Sequence, residues 1–437
     1  MCPIRNRGRF TIGAERVEKV GVPPAPHRNV GPGIRSGSVM DDTEKPLSGI
    51  RVLELASVWA MPGAGMYLAD QGADVVKIEP PGGEIGRTIA MTPSIKGQSR
   101  AFWSLNRNKR SVVIDLKAPD GIELIRGLAR QTDVLIHNFR PGVDERLGID
   151  YERLAQENPR LVYVAYNAFG PKGPRRTARG YDLLVQAATG IAMRRTETDG
   201  SPQPIGIFAV DMASSILAGY AVMLALFKRE RTGKGQKVTG SLLQTGLALQ
   251  IPEAVRVAEF PEPPLDGAVP RPAVFSHYQC ADGRYVQISV ASDAEWRSLC
   301  NALDAPELID DPALQDSAGR ISQSERLRPL LVSAFAARSA EDWQTVFDEH
   351  DCPGAMVETP ESVFDSVQAQ ANDAFVEVAQ PGIGTASILG VPFSLSQSPP
   401  DTFAPAPELG EHTDEVLGEL GLDADAIARL RTAKTIA

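Results

Sequence analysis

Between residues 50 and 240 the chain switches repeatedly between two hydrophobic periods, and that alternation narrows the folds open to it. Residues 50–55 are apolar and β-branched, 63–71 have helical spacing, and 73–79 return to a strand pattern after Gly72. Residues 111–117 alternate Val113 and Asp115 against Val112, Ile114 and Leu116. Pro119-Asp120-Gly121 opens a helix through Gln131, with Ile122, Leu124, Ile125 and Leu128 at helical spacing. Strands over 133–138 and 161–166 flank a helix over 151–158 that stops at Pro159. A helix over 212–231 is followed by Thr232-Gly233-Lys234-Gly235 and a strand over 236–239. Strands alternating with helices predict βαβ units and a mostly parallel, doubly wound sheet. Ligands on such sheets bind at the carboxyl ends of the strands.

The texture changes near residue 255. Pro261, Pro263, Pro264, Pro270 and Pro272 make a linker-like stretch. A hairpin is expected over 278–291, turning at Ala281-Asp282-Gly283, with helices over 293–303 and 324–337, as in a smaller α+β domain. A second Pro/Ser-rich stretch, 396–407, precedes a last helix over 413–420. Residues 1–40 hold seven Lys/Arg against two Asp/Glu, no sustained apolar period, and Val22-Pro23-Pro24-Ala25-Pro26. Such composition cannot offset chain entropy by burial. Residues 1–45 therefore read as a disordered extension or a misassigned start, with Met40 as the alternative first residue.

With 437 residues, 43% hydrophobic and 23% charged, the chain has ample material for a core. Its net charge of −10 argues against general nucleic-acid binding. The strongly apolar run 214–227 is too short to span a bilayer and reads as a buried helix, so no membrane partner is expected. Cys2, Cys280, Cys300 and Cys352 form no Cys-x-x-Cys pair, which fits a reducing, cytoplasmic setting. The five histidines are scattered, and no metal site is expected.

Several residues are candidates for chemistry. Gly63-Ala64-Gly65 imitates a dinucleotide fingerprint, but Pro62 and a long approach precede it and Leu68 stands where the third glycine should be. A helix start packed close to a sheet is the simpler reading. Asp211 opens the apolar helix after Ala209-Val210. It is either an N-cap or a poorly hydrated carboxylate able to attack an activated carbonyl. Asp182 opens another helix after Arg175-Arg176-Thr177-Ala178-Arg179. That basic run, and Asn106-Arg107-Asn108-Lys109-Arg110, read as solvated surface charge or as phosphate clamps. There is no Gly-x-Ser-x-Gly elbow; Ser36-Gly37-Ser38 lies in the leader.

Several segments together resemble one family. They are residues 46–55, 68–80, Asn106–Lys117 with its Asn-Arg-Asn-Lys-Arg start, Asn138-Phe139-Arg140-Pro141-Gly142, residues 231–236, and 410–417 with Gly410-Glu411-His412-Thr413. In that order they resemble the class III CoA-transferases, whose relatives include formyl-CoA transferase, carnitine CoA-transferase and α-methylacyl-CoA racemase. The resemblance runs from about residue 46 to the C-terminus. It implies an α/β fold with a Rossmann-like large domain plus a smaller α+β domain, in an interlocked homodimer. The expected divisions are a large CoA-binding domain over 46–250, a linker and small domain over 251–365, and a return segment over 366–437.

The resemblance implies that Asp211 is the nucleophile of an acyl-CoA:carboxylate CoA-transferase, working through an aspartyl anhydride and an aspartyl-CoA thioester. Coenzyme A and acyl-CoA are then substrates, and no permanent cofactor is expected. The matched CoA contacts are Val58, Trp59 and Ala60 after the first strand; Ile114, Asp115, Leu116 and Lys117 on the strand lining the nucleotide; Asn138, Phe139 and Arg140 at the next strand end; Arg146; and Arg179, Tyr181 and Asp182. Pro80, Trp59 and Met61 depart from common family residues, and the four-glycine run of formyl-CoA transferase is absent. Trp59, Met61 and Phe208 suggest bulk near the site. Racemases carry histidine where Tyr181 stands; tyrosine is a poor proton acceptor near pH 7, so CoA transfer is expected in place of epimerisation. A non-catalytic CoA- or dinucleotide-binding protein is the reading from another class.

Overall fold

The computed structural model describes residues 45–89, 93–194, 200–252, 254–260, 271–398 and 403–437. Residues 1–44 of the extension read over 1–45, most of the proline-rich stretch 260–272, and residues 399–402 of the second such stretch lie outside the described residues. The main sheet has six strands: β1 (Arg51–Leu55), β2 (Asp74–Glu79), β3 (Lys109–Val113), β4 (Val134–His137), β5 (Val162–Asn167) and β6 (Lys237–Ser241). Their spatial order is β3-β2-β1-β4-β5-β6, and every neighbouring pair is parallel. The chain winds outward from β1 in both directions, so the order reverses between β1 and β4. That reversal opens a crevice beyond the strand ends.

Alternation along each strand assigns its side chains to two faces. Val52, Val75, Val134, Ile136, Val162 and Val164 pack with helix α1 (Ala60–Asp70) on one face. Leu53, Val76, Ile78, Val112, Leu135 and Tyr163 pack on the other, against helix α3 (Pro119–Arg130). Pro119 starts α3, Asp120 lies in its first turn and Arg130 in its last, an arrangement that suits the helix dipole. Helix α2 (Arg100–Asn106) lies between them in sequence and is capped by Ser99. On the α1 face, helix α4 (Asp182–Ala188) precedes the long helix α5 (Ala209–Thr232), and α6 (Leu242–Ala248) follows β6.

α5 is 24 residues long and ends at Gly233, a left-handed C-terminal glycine with φ 71°. It is the one helix among the described residues long and apolar enough to cross a membrane, by length and composition, and half of that window is buried in the protein. The expectation of a buried helix holds for one face only. Ser214, Ala218, Val222 and Ala225 are buried, whereas Ile216, Tyr220, Leu224 and Phe227 are exposed.

A separate core is formed by residues 273–356. It contains the antiparallel strands β7 (His277–Gln279), β8 (Tyr285–Ile288) and β9 (Gly354–Met356), with α7 (Asp293–Ala302), α8 (Ser324–Phe335) and α9 (Ala340–Glu349). The hairpin and both helices expected there are present. A second hairpin, β10 (Phe375–Gln380) with β11 (Gly384–Leu389), follows. Helices α10 (Thr413–Glu419) and α11 (Ala424–Thr432) then pack on the α3 face of the main sheet through Val416, Leu417 and Ile427.

The basic cluster 106–110 is not solvated surface charge. Arg107 is buried and forks onto Asp70, and also donates to the Leu389 carbonyl. Lys109 is buried against Glu54. Arg110 bridges Asp74 to Glu415 and Glu419 of α10. These cations fasten the sheet edge to later parts of the chain. The strand expected over 111–117 ends at Val113. Ile114 makes one antiparallel bridge to Ile436, and Asp115 N donates to the Thr435 carbonyl at 2.8 Å. The C-terminal tail thus takes the position of a further strand, and 115–117 turn away, with Asp115 Oδ1 accepting from Lys117 N at 2.9 Å.

Candidate active site

A cleft of about 450 Å³ opens at the sheet reversal, beyond the carboxyl ends of β1 and β4. Val58, Trp59 and Ala60 enter it from β1, and Asn138, Phe139 and Arg140 from β4. Arg176, Arg179 and Tyr181 come from the loop before α4, and Asp211 from the first turn of α5. Residues that are far apart in sequence converge because each follows a strand or starts a helix at the same end of the sheet.

Asp211 is the third residue of α5, not its cap. Phe208 holds the cap position with no side-chain cap bond. The N–H of Asp211, which has no partner within its own helix turn, is instead satisfied from a neighbouring helix: Asp182 Oδ2 accepts it at 2.9 Å. Asp182 is buried, and its other oxygen accepts from Gln186 Nε2 at 2.5 Å. Gln186 also donates to the Ile207 carbonyl at 3.1 Å and accepts from Ile205 N at 3.0 Å, pinning the approach to α5. The capping role considered for Asp211 falls instead to a residue of the neighbouring helix. Asp182 does the capping, and the Asp211 carboxyl is left to the cleft.

Asp211 is only 5% exposed. Among the described residues no donor reaches its carboxylate oxygens. Burial pushes its carboxyl up to about 7, and the Asp182 carboxylate adds to the rise. Burial also raises Asp182, opposed by the N–H groups of Asp211 and Val210 and by Gln186. The result is a carboxylate with high proton affinity and little hydration, close to the state in which it is a good nucleophile.

The cleft is cationic. Arg140, Arg176 and Arg179 line it, and among the described residues none of them pairs with a carboxylate. Arg175, the third arginine of the 175–179 run, lies instead over the Phe169 ring, 4.0 Å from its centroid. Guanidinium groups that line the same cleft as one uncapped carboxylate, unpaired among the described residues, suit an anionic ligand. The bulk expected from Trp59, Met61 and Phe208 is largely turned into the protein. Met61 is fully buried, and Trp59, 3% exposed, packs edge-on to Phe208 with ring centroids 4.0 Å apart.

The other matched positions lie outside the cleft lining. Ile114 is core, and Asp115, Leu116 and Lys117 lie in the turn after it, beyond the end of β3. Arg146 is an exposed residue of the short helix Val143–Leu147. Asp182 stands behind Asp211. Arg176 joins the cleft as a member of the same basic run, although the resemblance implies only Arg179 as a CoA contact. Glu54 and Lys77, which stand beneath the site, had a signal too: charged residues at inward strand positions.

Gly65 serves the sheet, as the simpler reading expects, whereas Gly63 makes room for helix α5. A Cβ on Gly65 would lie 1.9 Å from Glu54 Oε2, and one on Gly63 2.3 Å from Ser215 Oγ. α1 can approach the buried charges of β1 and the first turns of α5 only because both positions lack side chains.

The model of CoA-transferase family III matches residues 47–413. A succinate–glutarate CoA-transferase of Agrobacterium fabrum is 34% identical over 395 residues, covering 87% of this chain and 97% of its own. A succinyl-CoA:mesaconate CoA-transferase of Haloarcula marismortui is 32% identical, covering 86% and 97%. The crystal structure of a CAIB/BAIF family protein from Brucella suis superposes with a TM-score of 0.75 at 30% identity, over 86% of this chain and all of its own. With the family model spanning most of the sequence, the chain belongs to CoA-transferase family III, and it is an enzyme of that class, using CoA thioesters as substrates.

Proposed function

We propose that the protein moves CoA between two carboxylic acids with Asp211 as its covalent nucleophile. The carrying observation is that the Asp211 carboxyl is buried and uncapped, and faces a cationic cleft at the sheet reversal. In the first step an Asp211 oxygen attacks the donor thioester carbonyl. The C–S bond breaks, leaving an aspartyl acyl anhydride and CoA thiolate. The thiolate then attacks the aspartyl carbonyl, releasing the donor acid as its carboxylate and leaving an aspartyl-CoA thioester. The acceptor carboxylate attacks this thioester, forming a second anhydride and freeing CoA thiolate again. Attack of that thiolate on the acceptor carbonyl yields the new acyl-CoA and restores Asp211. One difficult exchange becomes four activated acyl transfers.

Small dicarboxylic acids are the proposed substrates. The relatives named above act on succinate, glutarate and mesaconate derivatives. Arg140, Arg176 and Arg179, unpaired among the described residues, supply cations for CoA phosphates and for a second carboxylate. Val58, Trp59, Ala60, Asn138 and Phe139 are proposed to seat the pantetheine arm. The working form is proposed to be a homodimer, supported by the exposed apolar face of α5. A cytoplasmic location is proposed from the free thiols Cys280, Cys300 and Cys352.

The test is chemical trapping. Incubation with an acyl-CoA donor followed by hydroxylamine or borohydride should modify the Asp211 peptide, as read by mass spectrometry. An unmodified Asp211 peptide in an active enzyme contradicts the proposal. Asp211→Ala should lower turnover by roughly 10³-fold or more while the protein stays folded. Deuterium exchange at C2 of a 2-methylacyl-CoA that survives Asp211→Asn would point to a racemase.

A further inference from the structure

The first cleft loop is bound, peptide by peptide, to side chains from elsewhere. Lys77 Nζ donates to the Ala56 carbonyl at 2.9 Å. The Asn138 amide accepts from Ser57 N at 3.2 Å and donates to the Ser57 carbonyl at 2.8 Å. Glu84 Oε2 accepts from Val58 N at 2.9 Å and from Gly86 N at 2.7 Å. Val58 needs such a hold because its φ is +70°, a left-handed conformation that is strained for a β-branched residue.

Glu84 is itself fixed by buried charge. Its carboxylate lies 3.2 Å from Lys77 Nζ, and its own N–H donates to Glu79 Oε2 at 3.2 Å. Lys77 also pairs with Glu54 at 3.0 Å, its register partner on β1, and Glu54 pairs with Lys109 at 2.9 Å. All four side chains are essentially excluded from solvent. Burial works against the Lys77 ammonium, but the carboxylates of Glu54, Glu84 and Glu79 outweigh it and keep it charged. At its other end the loop meets the nucleophile's helix. Ser215 Oγ lies 2.7 Å from the Ala60 carbonyl and 3.0 Å from the Asp211 carbonyl.

We propose that Glu84 is a positioning residue whose carboxylate holds Val58 in its left-handed turn and so fixes the cleft wall that stands with Asp211. Without the carboxylate, Val58 relaxes toward negative φ, the peptide before it rotates, and the wall loses its shape for the thioester. The proposal deepens the CoA-transfer reading and depends on it only for the turnover measurement.

The test is a cycle of E84Q, V58G and the double variant. A glutamine at 84 must turn its NH₂ toward either Lys77 or the two N–H donors, so one contact fails. Glycine at 58 adopts φ +70° without strain and removes the need for a hold. E84Q alone should lower kcat/KM for the acyl-CoA donor by about tenfold, whereas E84Q added to V58G should cost less than about twofold. Deuterium exchange of the peptide containing residues 56–60 should quicken in E84Q. Equal losses in the two backgrounds, or none in E84Q, would overturn the proposal. If E84Q is recovered unfolded, V58G should restore a folded double variant, and failure to do so would also overturn it. If the native enzyme transfers no CoA, the functional reading fails, and unchanged exchange in E84Q would separately refute the role of Glu84.

Discussion

Asp211 and Asp182 show how one local setting assigns different work to two similar acids. Asp182 accepts backbone N–H groups, and Asp211 has none to accept. From sequence alone each aspartate could be the cap, because the capping contact runs between helices 29 residues apart. The consequence for pH is direct. The folded Asp211 carboxyl titrates near 7, above the ordinary 3.8 expected of the unfolded chain. Only the ionised form attacks a thioester, so kcat/KM should rise as pH increases through about 7 and level off above it. A profile flat from pH 5 to 8 contradicts that assignment. Stability runs the other way. Between those two values the native state binds more protons than the unfolded state, so stability falls as pH rises through this window. At pH 8 the cost is about 4 kcal/mol. Asp211→Asn should therefore raise Tm by several degrees at pH 8 and leave it nearly unchanged near pH 4, as read by calorimetry.

The helices and strands of the main sheet were largely legible as elements, because period 2 and period 3.6 are local properties of the chain. Their ends were less so. The pattern over 111–117 continues past Val113, but beyond it the chain makes one bridge to the C-terminal tail at Ile436 and turns at Asp115–Lys117. The hairpin β10–β11 and helix α11 went unread; the strands of the hairpin are mostly exposed or half-buried and lack a clean apolar face. Gly65 illustrates a non-local constraint on an element. Its reason is a glutamate 11 residues earlier, brought under α1 by β1. Gly65→Ala should cost about 2–3 kcal/mol in urea unfolding, since the added methyl meets a packed, ion-paired carboxylate. A change below about 0.5 kcal/mol would show that α1 can shift freely.

At the scale of the molecule, the sheet order predicted where the site should be, and its convergence on one crevice could not be read from spacing. Val58, Asn138, Tyr181 and Asp211 meet because the winding direction reverses between β1 and β4. Ile114 and Arg146, which the resemblance also implies as CoA contacts, do not line this crevice. The outer face of α5, with Tyr220 61% and Phe227 58% exposed, is too apolar to be left in water without consequence. The proposed homodimer should therefore depend on it. Tyr220→Asp together with Phe227→Lys should shift the sedimentation coefficient from dimer to monomer. A variant that still sediments as a dimer places the interface on another surface.

In the proposed covalent route, oxygen passes through one side chain. When the acceptor carboxylate carries ¹⁸O, its attack on the aspartyl-CoA thioester and the final attack by CoA thiolate leave a labelled oxygen on Asp211. After several turnovers with a labelled dicarboxylate, mass spectrometry of the Asp211 peptide should show ¹⁸O, and no other acidic peptide should gain it. Full conversion of donor to product with no label at Asp211 would contradict the covalent route.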